Sequence, residues 1–215
     1  MLKNYVLLLA HGAGAGINSD FMRTILLNLN NAGLETLPFE FPYMKIMNQT
    51  GKRRPPDRMP KLIEAFEKEI KHYQALYPKK KIIVGGKSMG GRVASLLISQ
   101  LEEGNDEKPD SISACICLGF PFHPPKKLEK YRGEHLENIK TLTLILQGDR
   151  DTMGCKEEVE NYKLANSITV KYIPDGDHSF KPRVRSGHTL EGNLSMIVES
   201  IINFVNALSN QAIRK

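Results

Sequence analysis

KIIVGGKSMGGR, Lys81 to Arg92, runs from an apolar, β-branched segment straight into a glycine-rich turn. Beyond the turn, Val93, Leu96, Leu97 and Leu101 recur at helical spacing, and Gly104 supplies a stop. The turn itself reads Gly86-Lys87-Ser88-Met89-Gly90, a G-x-S-x-G pattern. A serine at a sharp strand-to-helix turn needs small neighbours, because the backbone is strained and the helix packs close behind it. The N–H groups at that helix start point towards developing negative charge. Ser88 is therefore the candidate nucleophile. A phosphate-binding loop is the rival, since Gly86-Lys87-Ser88 ends like one. That loop requires a glycine at position 81, which is Lys81 here.

On either side of this segment lie five more short apolar runs: Tyr5 to Ala10, Leu34 to Phe39, Ala114 to Phe120, Thr141 to Gln147 and Ile168 to Ile173. Near-continuous apolar strands suit a sheet covered on both faces. Helical patterns between them argue for parallel βαβ units. Asn18 or Ser19 caps a helix that Gly33 ends. Leu62, Ile63, Phe66, Ile70 and Tyr73 mark another, Glu157 to Leu164 a third, and Thr189 to Leu208 the last. Phe39 to Pro60 is rich in proline and reads as one long irregular loop. With no visible repeat or linker, residues 1–215 are expected to form one domain.

Three further segments carry chemistry. His11-Gly12-Ala13-Gly14 follows the first strand. Its glycines, Gly12, Gly14 and Gly16, have the spacing G-x-G-x-G and not the G-x-G-x-x-G of a dinucleotide loop. Gln147 to Gly154 follows the fifth strand and offers Asp149 and Asp151, either of which can orient a histidine. His178, in PDGDHSF, stands after the last strand and before the last helix and is the general-base candidate. His188 is the fallback. The chain order Ser, Asp, His is one that nucleophile turns of this kind use.

Taken together these segments resemble the small bacterial α/β-hydrolases of the dienelactone-hydrolase-like kind. Among them the chain is most similar to a predicted-hydrolase group that includes the testis-expressed proteins and a subunit of a histone acetyltransferase complex. The resemblance is carried by HGAG (His11 to Gly14), FPYM (Phe41 to Met44), GKRRPP (Gly51 to Pro56), GGKSMGGR (Gly85 to Arg92), LGFPFHPP (Leu118 to Pro125), GDRDTMG (Gly148 to Gly154) and GDHSF (Gly176 to Phe180). It implies a minimal α/β-hydrolase fold, a three-layer sandwich of about six mostly parallel strands without a cap domain. It selects Asp151, three residues after Gly148, as the acid, and it assigns the Ala13 and Met89 N–H groups to an oxyanion hole. Two departures matter. The dienelactone enzymes proper use cysteine where this chain has Ser88, which argues against their substrate. Some relatives act as complex subunits, so fold alone does not establish turnover.

The expected activity is that of an esterase-like serine hydrolase acting on a small acyl substrate through Ser88, His178 and Asp151, with no cofactor and no metal. A non-catalytic interaction module and an acyltransferase are the alternatives. Tyr43, Arg54 and His123 are candidates to line the substrate mouth, or alternatively to pack the loops. The formal charge of +6 and pI of about 9.1 come from lysines and arginines spread along the chain. They read as a solvated basic surface, so neither a nucleic-acid nor a membrane partner is expected. Three cysteines, two of them inside an apolar strand, suit a reducing, cytoplasmic setting. The apolar start YVLLLA is too short for a signal sequence and reads as a buried strand.

Overall fold

A computed structural model describes residues 2–104 and 112–213, with side chains through residue 210. The six apolar runs form one sheet: β1 (Tyr5–Ala10), β2 (Glu35–Phe39), β3 (Lys81–Lys87), β4 (Ile112–Leu118), β5 (Thr143–Gly148) and β6 (Ile168–Ile173). Their order is β2-β1-β3-β4-β5-β6, and every pairing is parallel.

Alternation along the strands divides the interior in two. Val6, Leu8 and Ala10 of β1 face the core that α3 (Met59–Leu76) and α4 (Met89–Glu103) cover with Leu62, Phe66, Ile70, Val93 and Leu97. Tyr5, Leu7 and Leu9 face the opposite core, covered by Met22, Ile25 and Leu29 of α1 (Asp20–Asn31) and by Ile197, Ile201 and Val205 of α6 (Leu190–Ile213). All six residues of β1 are buried, which is why the strand reads as continuously apolar. Each fully buried aliphatic side chain contributes about 1.5–3 kcal/mol. This is the expected three-layer arrangement of helices on both faces of a sheet.

After β1 the chain first adds β2 on one side and then returns to build β3 onwards on the other. Ala10 of β1 and Gly86 of β3 end side by side in register. The crevice beyond the carboxyl ends of these strands is the topological switch point, where open α/β sheets bind ligands.

Two local expectations are corrected. The segment from Phe39 to Pro60 is not irregular throughout: α2 (Pro42–Thr50) occupies its first half. Pro42 sits in the first helical turn, where its missing N–H has no intrahelical role and its fixed φ suits the helix. Tyr43 and Met44 are buried, and Gly51, at φ 68°, ends the helix. The helix expected from Glu157 to Leu164 is only α5 (Lys156–Val159). Beyond it the Ala165 N–H donates to the Leu136 carbonyl (3.0 Å), and Tyr162 packs on Tyr131 and Phe122 with ring centroids 4.7 and 5.3 Å apart. These tertiary contacts override local helical propensity.

Candidate active site

β3 delivers its last residue, Lys87, directly to Ser88, and α4 begins at Met89. Ser88 has φ 51° and ψ −115°, a conformation that side-chain-bearing residues adopt only under constraint. The constraint comes from both flanks. A Cβ on Gly86 would lie 2.5 Å from the Gly90 carbonyl carbon, and one on Gly90 would lie 2.6 Å from the His11 carbonyl oxygen. Only glycine lets strand, helix and the β1 loop approach this closely. The Ser88 N–H is tied to the Leu118 carbonyl at 2.9 Å.

The structure brings the three expected side chains together. His178 Nε2 lies 2.8 Å from Ser88 Oγ, and His178 Nδ1 lies 2.7 Å from Asp151 Oδ2. An ionised carboxylate only accepts, so Nδ1 of the neutral ring carries the proton and donates it to Asp151. Nε2 then presents a lone pair to the Ser88 hydroxyl. Asp151 is fully buried, yet its charge is well solvated by donors. The Met153 N–H donates to Oδ1 at 2.8 Å, and the Gln147 carboxamide donates to Oδ2 at 2.9 Å. Asp149, the other candidate acid, instead braces the adjoining turn by accepting the Asp175 N–H at 2.9 Å. His188, the fallback base, is exposed, and its own N–H donates to Ser186 Oγ.

Ala13 lies beside Ser88, and the fixing of its peptide is visible one layer down. His11 Nδ1–H donates to the Gly12 carbonyl at 2.6 Å, while His11 Nε2 accepts the Phe41 N–H at 3.1 Å. Burial lowers the pKa of His11, which keeps the ring neutral and the pattern consistent. The Tyr43 hydroxyl also reaches the Gly12 carbonyl (3.3 Å) and donates to that of Ala13 (2.9 Å). In a trans peptide the Ala13 N–H points opposite to the Gly12 carbonyl, hence away from the core and into the crevice. Met89 opens α4, so its N–H has no intrahelical acceptor.

Of the three expected mouth residues, two are buried against the loops. Tyr43 is fully buried beneath the loop from His11 to Gly16, so it supports that loop and does not meet substrate. His123 is also buried and bonds Glu158 Oε2 at 3.0 Å, tying the segment after β4 to the start of α5. Arg54 stands at the surface, 3.7 Å from Asp57. For the two buried residues the polar tip is consumed by a backbone or carboxylate partner in the loops.

Side chains not singled out beforehand complete the site. Gln147 accepts the Phe120 N–H at 2.8 Å while donating to Asp151 and to the Gly154 carbonyl. The sign available in the sequence was a polar residue closing the otherwise apolar run TLTLILQ. Lys87 Nζ donates to the His178 carbonyl at 2.7 Å, and burial pushes its pKa down to about 8. A second serine–histidine contact, Ser95 Oγ to His135 Nε2 at 2.9 Å, lies behind α4. The Ser95 hydroxyl donates to the Arg92 carbonyl at 3.1 Å, and burial followed by the charge of Arg92 lowers the His135 pKa to about 4. With its hydroxyl proton already engaged, Ser95 is a helix-bracing residue.

Ser88 separates two cavities. One, of about 400 Å³, is lined by His178, Lys87, Phe21 and Met22. The other, of about 270 Å³, lies on the Met89 side. A larger depression of about 680 Å³ along α1, near Arg23 and Pro38, holds none of these groups. Among the described residues, no group of three or more His, Cys, Asp or Glu is placed to hold a metal ion.

An all-parallel sheet whose third strand ends in a strained serine turn at the switch point defines the α/β-hydrolase class. The chain belongs to the alpha/beta hydrolase domain family, whose model matches residues 3–206. Among solved structures it is similar to a dienelactone hydrolase from Anabaena variabilis (TM-score 0.67, 20% identity, 92% of this chain and 83% of that one). It is also similar to Est1E from Butyrivibrio proteoclasticus with ferulic acid bound (0.66, 16%, 95% and 89%). A third is an alpha-beta serine hydrolase homologue from Coxiella burnetii (0.66, 15%, 93% and 84%). At these identities the likeness is one of fold.

Proposed function

We propose that this protein is a serine hydrolase of the esterase type, working through an acyl-enzyme on Ser88. The observation that carries this reading is the unbroken hydrogen-bond chain from Ser88 Oγ through both nitrogens of His178 to the buried Asp151. His178 takes the Ser88 proton as Oγ attacks the acyl carbonyl, and Asp151 balances the charge that forms on the imidazole. The Ala13 and Met89 N–H groups stabilise the oxyanion, each contributing about 3–4 kcal/mol. His178 then returns its proton to the leaving oxygen, and water releases the acyl group by the same route. No helix among the described residues is long and apolar enough to cross a membrane. The free thiols of Cys115, Cys117 and Cys155 fit work in a reducing compartment.

Hydrolysis of short p-nitrophenyl esters tests this, together with labelling by a fluorophosphonate probe. Wild type is expected to turn over and to label at Ser88, and Ser88→Ala to do neither while melting as a folded protein. Equal activity in the mutant removes Ser88 from the mechanism.

A further inference from the structure

The smaller of the two cavities at Ser88 has an unusual charge pattern. Arg92 and Arg132 both line it, 40 residues apart in sequence and brought together by the fold. Arg92 stands in the first turn of α4, four residues beyond Ser88, and both line this cavity. Its Nε is buried and has no hydrogen-bond partner among the described residues. Burial first, and the nearby charge of Arg132 second, lower its pKa, with Glu134 opposing them. Among the described residues neither guanidinium has a carboxylate within 4.0 Å. Asp57, also on the cavity wall, is engaged by Lys61 at 3.1 Å and Arg54 at 3.7 Å. Two adjacent cations with no carboxylate in direct contact, and with Glu134 acting on Arg92 only from a distance, leave one desolvated donor open, which favours an anion joining them.

Arg132 is also held in place. Its N–H donates to the Phe122 carbonyl at 2.7 Å, and the preceding Tyr131 ring stacks on Phe122 and Tyr162. With its backbone anchored in this way, Arg132 presents a second guanidinium beside Arg92, and two such groups match the planar, two-oxygen geometry of a carboxylate.

Position relative to His178 says which half of a substrate enters. The general acid must reach the leaving oxygen, and His178 lines the other cavity. The leaving group therefore belongs there, and the acyl group belongs on the Arg92 side. Resting on the hydrolase reading above, we propose that Arg92 and Arg132 bind a free carboxylate on the acyl group. The preferred substrates are then monoesters of short dicarboxylic acids. Ser88 attacks the esterified end while the arginines hold the other, about one helical turn away.

The test compares mono-p-nitrophenyl glutarate with p-nitrophenyl pentanoate, which has the same chain length without the charge. Wild type is expected to favour the anionic ester in kcat/KM by at least about tenfold. Arg132→Gln and Arg92→Lys are expected to reduce that ratio by a similar factor, chiefly through KM. A wild-type preference for the neutral ester, or variants that slow both esters equally, overturns the proposal. If neither ester is hydrolysed, the hydrolase reading fails, and the cavity is judged separately by calorimetry of glutarate on the Ser88→Ala protein. Binding that Arg132→Gln abolishes supports the pocket. Absence of binding, or equal binding of inorganic phosphate, refutes its assignment to carboxylates.

Discussion

Gln147 Nε2 and His178 Nδ1 converge on one oxygen of Asp151, at 2.9 and 2.7 Å. The carboxylate therefore cannot rotate towards the imidazole or away from it without losing a buried bond. Gln147 is itself locked by the Phe120 N–H and the Gly154 carbonyl. Gln147→Leu is expected to lower kcat at least about tenfold with little change in KM, because misplacement of a catalytic base by a fraction of an ångström is costly. Urea unfolding should also show a loss of about 1–3 kcal/mol from the orphaned backbone groups.

Tyr43 offers a separation of packing from polarity. Tyr43→Phe keeps the ring against His11 and Phe41 but removes the hydroxyl that restrains the Gly12 and Ala13 carbonyls. Stability is expected to fall by about 1 kcal/mol. Steady-state kinetics should show a larger loss, about tenfold in kcat, because the Ala13 N–H loses its fixed direction.

Ser88 carries strain that any side chain would share. Ser88→Ala retains a Cβ at φ 51°, whereas Ser88→Gly does not. The glycine variant is expected to be more stable than the alanine variant by about 1 kcal/mol or more in denaturant titrations. Equal stabilities would mean that the turn is relaxed.

The loop bearing His178 is pinned at Asp175, whose carboxylate accepts the Arg183 N–H at 2.5 Å and Nε–H at 2.8 Å, with Arg150 also 2.8 Å away. The Arg183 guanidinium bond, with further help from its N–H and from Arg150, pushes the Asp175 pKa down from 3.8 to about 2. A carboxylate with a depressed folded pKa stabilises the fold above its unfolded pKa, and that contribution fades as pH falls through the folded value. Wild type should thus lose stability between about pH 4 and pH 2 more steeply than Asp175→Asn. Circular dichroism melts across that range measure the difference in slope.

The sequence made Ser88 legible because its evidence is local: a strand, two close-packed glycines and a helix in twelve residues. His178 was legible by its place after β6; the place after β5 left Asp149 and Asp151 open, and only the family resemblance chose Asp151. The surroundings of Tyr43 were not legible: its segment read as irregular for its prolines, whereas Pro42 at the start of a helix is an initiator. Arg92 and Arg132 each look like ordinary solvated charges, and only the fold places both on one cavity wall. α5 was read too long for a related reason: Tyr162 finds its partners on another segment, which no local periodicity records.

The His178 side chain, 28% exposed, sits at the rim of its crevice. For a hydrolase built this way, nothing must swing aside before bulk solvent meets the acylated serine. On that reading solvent viscosity is expected to act on substrate encounter and product release and not on a gating step, and small alcohols added to the medium are expected to compete with water for the acyl group.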